Sequence, residues 1–235
     1  MPRNGGFSYG NNGIIRDYMA QPSPPDYLWL LNSDTVVRPG AFAPLLSFMN
    51  KTPEAGIVGS RLEHMDGTPQ HSAFRFHSLA AEFEASVNLG PVSKILRHWQ
   101  IAPPIADTIQ RYDWLSGASM LIRREVFEQT GLFDEGYFLY DEETDFCIRA
   151  DKCGWQCWYV PESRIVHLIG RSTGVTGDSD RSRRRPSYWF ESRRRFYAKH
   201  YGRLYGSLAD LVLAASAISN MRGGLCIVHF PGLNT

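Results

Sequence analysis

The chain has few cysteines and no arrangement that puts them to use. Cys147, Cys153, Cys157 and Cys226 form no CxxC pair and have no histidine-rich partner segment, which argues against zinc and for reduced thiols, three of them partly buried, in a reducing compartment. No charged-then-apolar start resembles a secretion signal. The longest mostly apolar run, Leu211 to Ile218, is far short of the ~20 residues a membrane-crossing helix needs, so a soluble or surface-bound protein is expected. Neither sign of charge dominates: 25 Lys and Arg against 24 Asp and Glu leave a formal net charge of +1. That gives no global argument for nucleic acid or for an acidic partner. Internal repeats and low-complexity segments are also lacking. Charge is nevertheless uneven, because arginines crowd positions 181 to 195 and acids cluster at 134 to 145.

The hydrophobic pattern supports an α/β protein. Residues 1 to 25 are rich in Gly, Asn and Pro and read as turns. Tyr27 to Leu31 is a continuous apolar run, too short for a helix, and reads as a buried strand. Pro39 opens a helix to about Asn50 with Phe42, Leu45, Leu46 and Met49 on one face, and Gly56 to Gly59 reads as the next strand. Strand, helix, strand in that order favours parallel pairing. The pattern weakens from Glu63 to Gln110, where His64, His71 and His77 read as surface or loop histidines. Ala118 to Ile122 suggests a strand, Arg124 to Thr130 a helix stopped by Gly131, and Glu142 to Cys153 a helix ended by Gly154. Trp155 to Val160 reads as a strand closed by Pro161, with a shorter one at Ile165 to His167. Tyr188 to Tyr201 reads as an arginine-rich helix, and a last helix carries Leu204, Leu208, Leu211, Val212 and Ala215 on one stripe.

Three groups of residues can carry chemistry. Asp34 ends the first apolar strand, where open α/β sheets bind ligands; with Asn32 it can hold a divalent cation and a phosphate, or it can simply bond its own turn. Asp141, Glu142, Glu143 and Asp145 crowd a helix start. One or two acids there answer the helix dipole, but four repel one another and raise the proton affinity of at least one, which suits a general base. His167, after Ile165-Val166, can complete a metal site with Asp34 or play a structural part. The arginines at 181, 183, 184, 185, 193, 194 and 195 suit an anionic partner, whether a phosphate-bearing substrate, lipid or nucleic acid, or form a solvated helix face.

In combination these segments resemble glycosyltransferase family 2, in its rhamnosyltransferase-like branch, from Asn4 to about Asp210. Asn4-Gly5-Gly6-Phe7-Ser8-Tyr9-Gly10-Asn11-Asn12-Gly13 is similar to the glycine/asparagine loop that approaches the sugar nucleotide, which implies donor-binding roles for Gly10, Asn11, Asn12, Asn32 and Asp34. Leu30-Leu31-Asn32-Ser33-Asp34-Thr35 resembles the metal motif, with Asn in the first place. Trp114-Leu115-Ser116-Gly117-Ala118 looks like the acceptor-side segment, which implies acceptor contacts for Trp114, Gly117 and Ala118. Gly131 to Glu135 followed by Asp141 to Asp145 resembles the stretch that holds the base, with Glu142-Glu143 where Glu-Asp is usual.

The resemblance implies a GT-A fold, a Rossmann-like mixed sheet flanked by helices, and an Mg²⁺ or Mn²⁺ ion held by Asp34 and His167. It further implies inverting transfer from a nucleoside-diphosphate sugar to a hydroxyl of a cell-envelope or exopolysaccharide acceptor, possibly lipid-linked. Glu143, or second to it Glu142, would be the base, and Asp145 would orient the base or an acceptor hydroxyl. The family's first nucleotide-binding strands precede the segment where this chain starts, so a truncated form or a partner-supplied half is expected. Residues 1–180 then form the transferase domain and 181–235 an arginine-rich helical extension. The expected location is the cytoplasm, with a peripheral place on the cytoplasmic face of the membrane as its extension. Two other readings compete: a non-catalytic remnant that binds a glycan or partner subunit, and an arginine-driven nucleic-acid binder, which leaves the acid cluster without a role.

Overall fold

A computed structural model describes residues 4–87, 99–168 and 186–222. The arginines at 181 to 185, the segment from Gly170 to Gly174 and Cys226 lie outside the described residues. In chain order the elements are α1 (Gly6–Met19), β1 (Tyr27–Leu31), β2 (Thr35–Val37), α2 (Phe42–Lys51), β3 (Ala55–Glu63), β4 (Pro69–Gln70), β5 (Ala73–Phe74) and α3 (Leu79–Val87). There follow β6 (Gln110–Tyr112), β7 (Trp114–Leu115), β8 (Ser119–Arg123), α4 (Arg124–Thr130), α5 (Glu142–Lys152), β9 (Gln156–His167), α6 (Ser187–His200) and α7 (Arg203–Arg222).

The main sheet has the order β1-β8-β3-β9-β2, with β4 beside β3 and β6 beside β9. β8 is antiparallel to both β1 and β3, β9 is parallel to β3, and β2 is antiparallel to β9. β1, β3 and β9 therefore run the same way, and their carboxyl ends at Leu31, Glu63 and His167 gather at one edge. That edge is where α/β sheets offer ligand sites.

Period-two alternation divides the core between the two faces. Ile57, Met120, Ile122 and Cys157 face Ile15 of α1, Val126 and Phe127 of α4, and Phe146 and Ala150 of α5. Val58, Leu121 and Val160 face Leu45 and Met49 of α2. The mixed sheet flanked by helices is the architecture expected.

Four expectations change. The Gly- and Asn-rich start is not a loop but a helix of 14 residues. Glycines cost about 1 kcal/mol each against alanine in a helix, so local propensity is overruled by tertiary bonds. Ser8, Asn12 and Ile15 are buried along one stripe. The Asn12 side-chain amide donates to Phe133 O at 2.8 Å, while its oxygen accepts from Phe133 N–H at 3.0 Å. Second, β1 is only half-buried, because among the described residues it pairs on one side alone. Third, β1 and β3 are parallel in direction but not paired, since β8 lies between them. Fourth, Pro161 does not close a strand: β9 runs continuously to His167, and its register against β3 shifts between Ser60 and Arg61. The irregularity accommodates a residue that has no N–H for the ladder.

Asn12→Ala is expected to cost about 1–3 kcal/mol, because it strands two buried backbone groups of Phe133. Urea unfolding of the variant against the native protein measures this.

Candidate active site

Asp34 sits in the turn between β1 and β2 and is 6% exposed. The β2–β9 ladder pairs Thr35 with His167 and so brings the next side chains together: His167 Nε2 lies 3.5 Å from Asp34 Oδ1. The Leu168 N–H donates to Asp34 O at 2.9 Å, and the Gln70 side-chain amide donates to His167 O at 2.9 Å. Burial lowers the proton affinity of His167 and the Asp34 carboxylate opposes this; the net shift is downward. An imidazole kept neutral beside a carboxylate is a donor set that Mn²⁺ or Mg²⁺ accepts. Among the described residues no group of three or more His, Cys, Asp or Glu forms a cage. The two side chains fit a cation whose other ligands come from water and substrate phosphates, the usual arrangement for Mg²⁺-type sites.

The second acidic group reaches the same edge through the turn from Ser116 to Ala118. Asn32 N–H donates to Ala118 O at 3.2 Å, and the amide of Gly117 donates to Glu143 Oε1 at 3.1 Å. Consecutive residues of one turn therefore hold the strand end that carries Asp34 and the helix start that carries Glu143. The approach is too close for a side chain: a Cβ on Gly117 would lie 2.6 Å from Phe7 Cζ and 2.8 Å from Glu143 Oε1. Phe7, at the start of α1, donates its N–H to Phe138 O at 3.2 Å. Gly6 beside it leaves only 1.7 Å between a hypothetical Cβ and that same oxygen.

The four carboxylates have different environments. Glu142 is 1% exposed, and its Oε2 has no hydrogen-bond partner among the described residues. Burial, with the neighbouring Glu143 charge, raises its pKa well above the usual value, and burial likewise raises that of Glu143. Asp141 is pushed up to about 7, mainly by burial. It lies 3.7 Å from His77 Nε2, and that imidazole is itself pushed down to about 4 by burial. Asp145 differs: burial opposes its ionisation, but His200, Lys199 and Arg149 outweigh that and hold the carboxyl below the usual range. Its oxygens lie 2.7 Å from His200, 2.6 Å from Lys199 and 2.9 Å from Arg149. This carboxylate joins α5 to α6 and turns to those three side chains. Tyr140 and Asp141 have φ values of 73° and 66°, the non-glycine residues of positive φ among those described. Such backbone costs about 1–3 kcal/mol per residue and persists where its surroundings impose it, commonly at functional sites.

Of the remaining residues singled out from the sequence, Gly117 and Ala118 stand at the meeting point. The ring of Trp114 does not act as a free platform: it packs at 4.2 Å on Phe74, and its N–H donates to Arg75 O at 2.8 Å. Asn12 is committed to Phe133, Asn11 bonds Phe7 O at 3.0 Å within its own helix, and Gly10 has open space beside it. His77 lies in the loop between β5 and α3, as one of its two readings had it, but its ring is packed, stacked against Trp114 and meeting Phe196 edge-on. Phe7 and the left-handed Tyr140-Asp141 pair went unread in the sequence. Only the Gly5-Gly6 pair before Phe7 signalled a close backbone approach.

The family model for glycosyltransferase-like family 2 matches residues 3–202, and the chain belongs to that family. The N-acetylglucosaminyl-diphospho-decaprenol L-rhamnosyltransferase of Mycobacterium tuberculosis is 33% identical over 160 residues, 66% of this chain and 50% of that protein. Rhamnosyltransferase WbbL of Escherichia coli is 28% identical over 169 residues, 69% of this chain and 60% of that protein. The chain thus spans about half the length of the curated relatives it matches. Among solved structures, GalNAc-T7 with UDP, GalNAc and Mn²⁺ superposes with a TM-score of 0.51 at 17% identity, covering 96% of this chain and 46% of that one. The shared fold is GT-A.

A depressed carboxyl pKa gives stability that is present above the ordinary carboxylate value and lost as pH falls below it. Asp145 is therefore expected to add an acid limb to unfolding below about pH 4. Asp145→Asn should remove that limb and cost about 1–3 kcal/mol at neutral pH, since Lys199 keeps Asp134 and Arg149 keeps the Thr130 and Leu132 carbonyls, as read from urea unfolding across pH.

Proposed function

We propose that this chain is the catalytic part of a transferase that moves a sugar, of the hexose or deoxyhexose class, from a nucleoside diphosphate to a hydroxyl of a lipid-linked envelope glycan. The observation that carries this reading is the turn from Ser116 to Ala118, which holds the Asp34 strand end and the Glu143 carboxylate together. The name of the mycobacterial relative supplies the acceptor class, a sugar on a polyprenyl diphosphate.

Asp34 and His167 would hold a divalent cation, which when bound supplies Lewis-acid neutralisation of the departing diphosphate. Glu143, held at one oxygen by the Gly117 amide, takes the proton of the acceptor hydroxyl as that hydroxyl attacks the anomeric carbon. Its raised pKa brings it closer to the working range of a general base. Burial and the Glu143 charge raise the proton affinity of the neighbouring Glu142 as well. A single displacement with one base inverts the anomeric centre. Gly10, with open space beside it, and Asn32 stand on the donor side, Gly117 and Ala118 on the acceptor side. Asp145 positions α5 through its cations.

A lipid-linked acceptor has to be met at a membrane. Among the described residues no helix is long and apolar enough to cross one, but α7 offers a surface to lie against it. Leu204, Leu208 and Leu211 are 78%, 45% and 66% exposed. Each directly follows a residue (Arg203, Ser207, Asp210) lining a groove of about 880 Å³ that also holds Arg194, Arg195 and Lys199. A leucine stripe beside cations is the pattern of an interfacial helix on anionic lipid.

Glu143→Gln should lower transfer by about 10²–10⁴-fold while donor binding persists, whereas Asp34→Ala should weaken Mn²⁺-dependent donor binding. Nucleoside-diphosphate release with and without Mn²⁺, together with donor titration, tests both; normal turnover by the Glu143 variant removes it as the base. The protein should float with phosphatidylglycerol vesicles, less so in high salt, and replacement of Leu204, Leu208 and Leu211 by serine should abolish flotation. Equal flotation with phosphatidylcholine would refute the electrostatic part.

A further inference from the structure

The residue at the head of α5 does not behave as a helix cap. Asp141 stands at the N-cap position, where an aspartate ordinarily bonds the free N–H groups of the first turn, yet its carboxylate makes no such bond. Its backbone is left-handed, at φ 66°. Its side chain meets His77 instead, with Oδ1 lying 3.7 Å from Nε2. That is an ion-pair contact, longer than a hydrogen bond. Both groups are largely withdrawn from water, the His77 side chain being 21% and the Asp141 side chain 14% exposed. The sugar transfer just described gives neither of them a part.

The imidazole is wedged in place. Trp114 stacks on it at 6.3 Å with an interplanar angle of 18°, and Phe196 meets it edge-on at 5.4 Å. Its backbone is pinned as well: His77 O accepts the Tyr201 hydroxyl at 3.0 Å, and the Leu79 N–H donates to the Tyr205 hydroxyl at 2.8 Å. Its other nitrogen, Nδ1, lies 4.0 Å from Glu82, whose carboxylate already receives Arg193 and the Tyr197 hydroxyl. Asp141 has no such match. Around its carboxylate stand His77, Arg193 of α6, Glu82 of α3, the Tyr137 hydroxyl, and Glu143 and Asp145 of its own helix. Among the described residues, His77 is the cation-capable group within ion-pair distance. Asp145 is committed to Lys199, His200 and Arg149. Glu143 in turn faces the Gly117 amide, Glu142 and Asp141. Carboxylates this close in a poorly hydrated site repel, and each raises the proton affinity of the other.

We infer that His77 and Asp141 are a positioning pair for the base: the wedged imidazole keeps the Asp141 carboxylate from capping its own helix, so that its charge acts on Glu143 and sets the pH at which Glu143 loses its proton. This rests on the reading of Glu143 as the base. Carboxyl ¹³C NMR of glutamate-labelled protein, with the Glu143 signal assigned by its loss in Glu143→Gln, reads that titration without turnover. Asparagine tolerates left-handed backbone, so Asp141→Asn keeps the turn and removes the charge. It is expected to lower the apparent midpoint of Glu143 by about half to one pH unit. The acid limb of nucleoside-diphosphate release should move to lower pH with it. His77→Phe keeps a ring between Trp114 and Phe196 and should lower the midpoint in the same direction. Added to Asp141→Asn it should change nothing further, because His77 acts through Asp141. Thermal unfolding checks that the variants are folded; should His77→Phe not fold, the Asp141→Asn shift decides alone. A Glu143 midpoint unmoved by Asp141→Asn overturns the pair, and so does a His77→Phe shift that persists without the Asp141 charge. Normal turnover by Glu143→Gln would instead remove the base reading and leave the measured coupling standing, so the two failures are told apart.

Discussion

The contact between the Gly117 amide and the Glu143 carboxylate is the constraint around which the candidate site is arranged. Because Gly117 has no side chain, the tip of Phe7 and the acid of α5 converge on one backbone position. The turn itself is pinned from below, with Ser116 N–H donating to Ser72 O at 2.9 Å and Ala118 N–H to Ser116 Oγ at 3.3 Å. Its next carbonyl, on Ala118, receives the amide at the end of β1. The starts of α1 and α5 and the Asp34 strand end thus share one support.

The acid run resolves its own repulsion by dividing its members between environments. Asp145 points to Arg149 one turn along and to Lys199 and His200 of α6, and remains charged. Asp141, Glu142 and Glu143 are buried without matching cations of that number, so burial raises all three pKa values. One helix turn therefore anchors the C-terminal helices with one carboxylate and raises the proton affinity of the other three. A helix start tolerates this because its free N–H groups favour negative charge.

How much was legible in the sequence differed by element. Apolar runs and glycine stops found β1, α2, α4, α5 and α6; α2, α4 and α5 bury one face against the sheet, whereas α6 packs through Phe196 and Tyr197 on Tyr137, Ile148 and Ala209. The same reasoning failed for α1, where glycines and asparagines argue for turns and a long-range clamp on Phe133 makes a helix instead. It also failed at Pro161, because a bulge in a parallel pair has no local signature. The stripe of Leu204, Leu208 and Leu211 was read from periodicity, yet that it stays exposed could be learned only from how α7 lies against α3 and α6.

The order of chemical types along the chain, a carboxylate after the first apolar strand, a glycine-containing turn, a crowded acidic helix start and a late histidine, belongs to the sequence alone and sufficed to suggest the family. Their meeting belongs to the tertiary structure. Asp34 touches His167 because an antiparallel ladder sets Thr35 opposite it, and Asp145 is committed to α6 because that helix brings Lys199 and His200 to it. Residue type is a local property, whereas proximity and proton affinity depend on which distant groups the folded chain packs around each carboxylate.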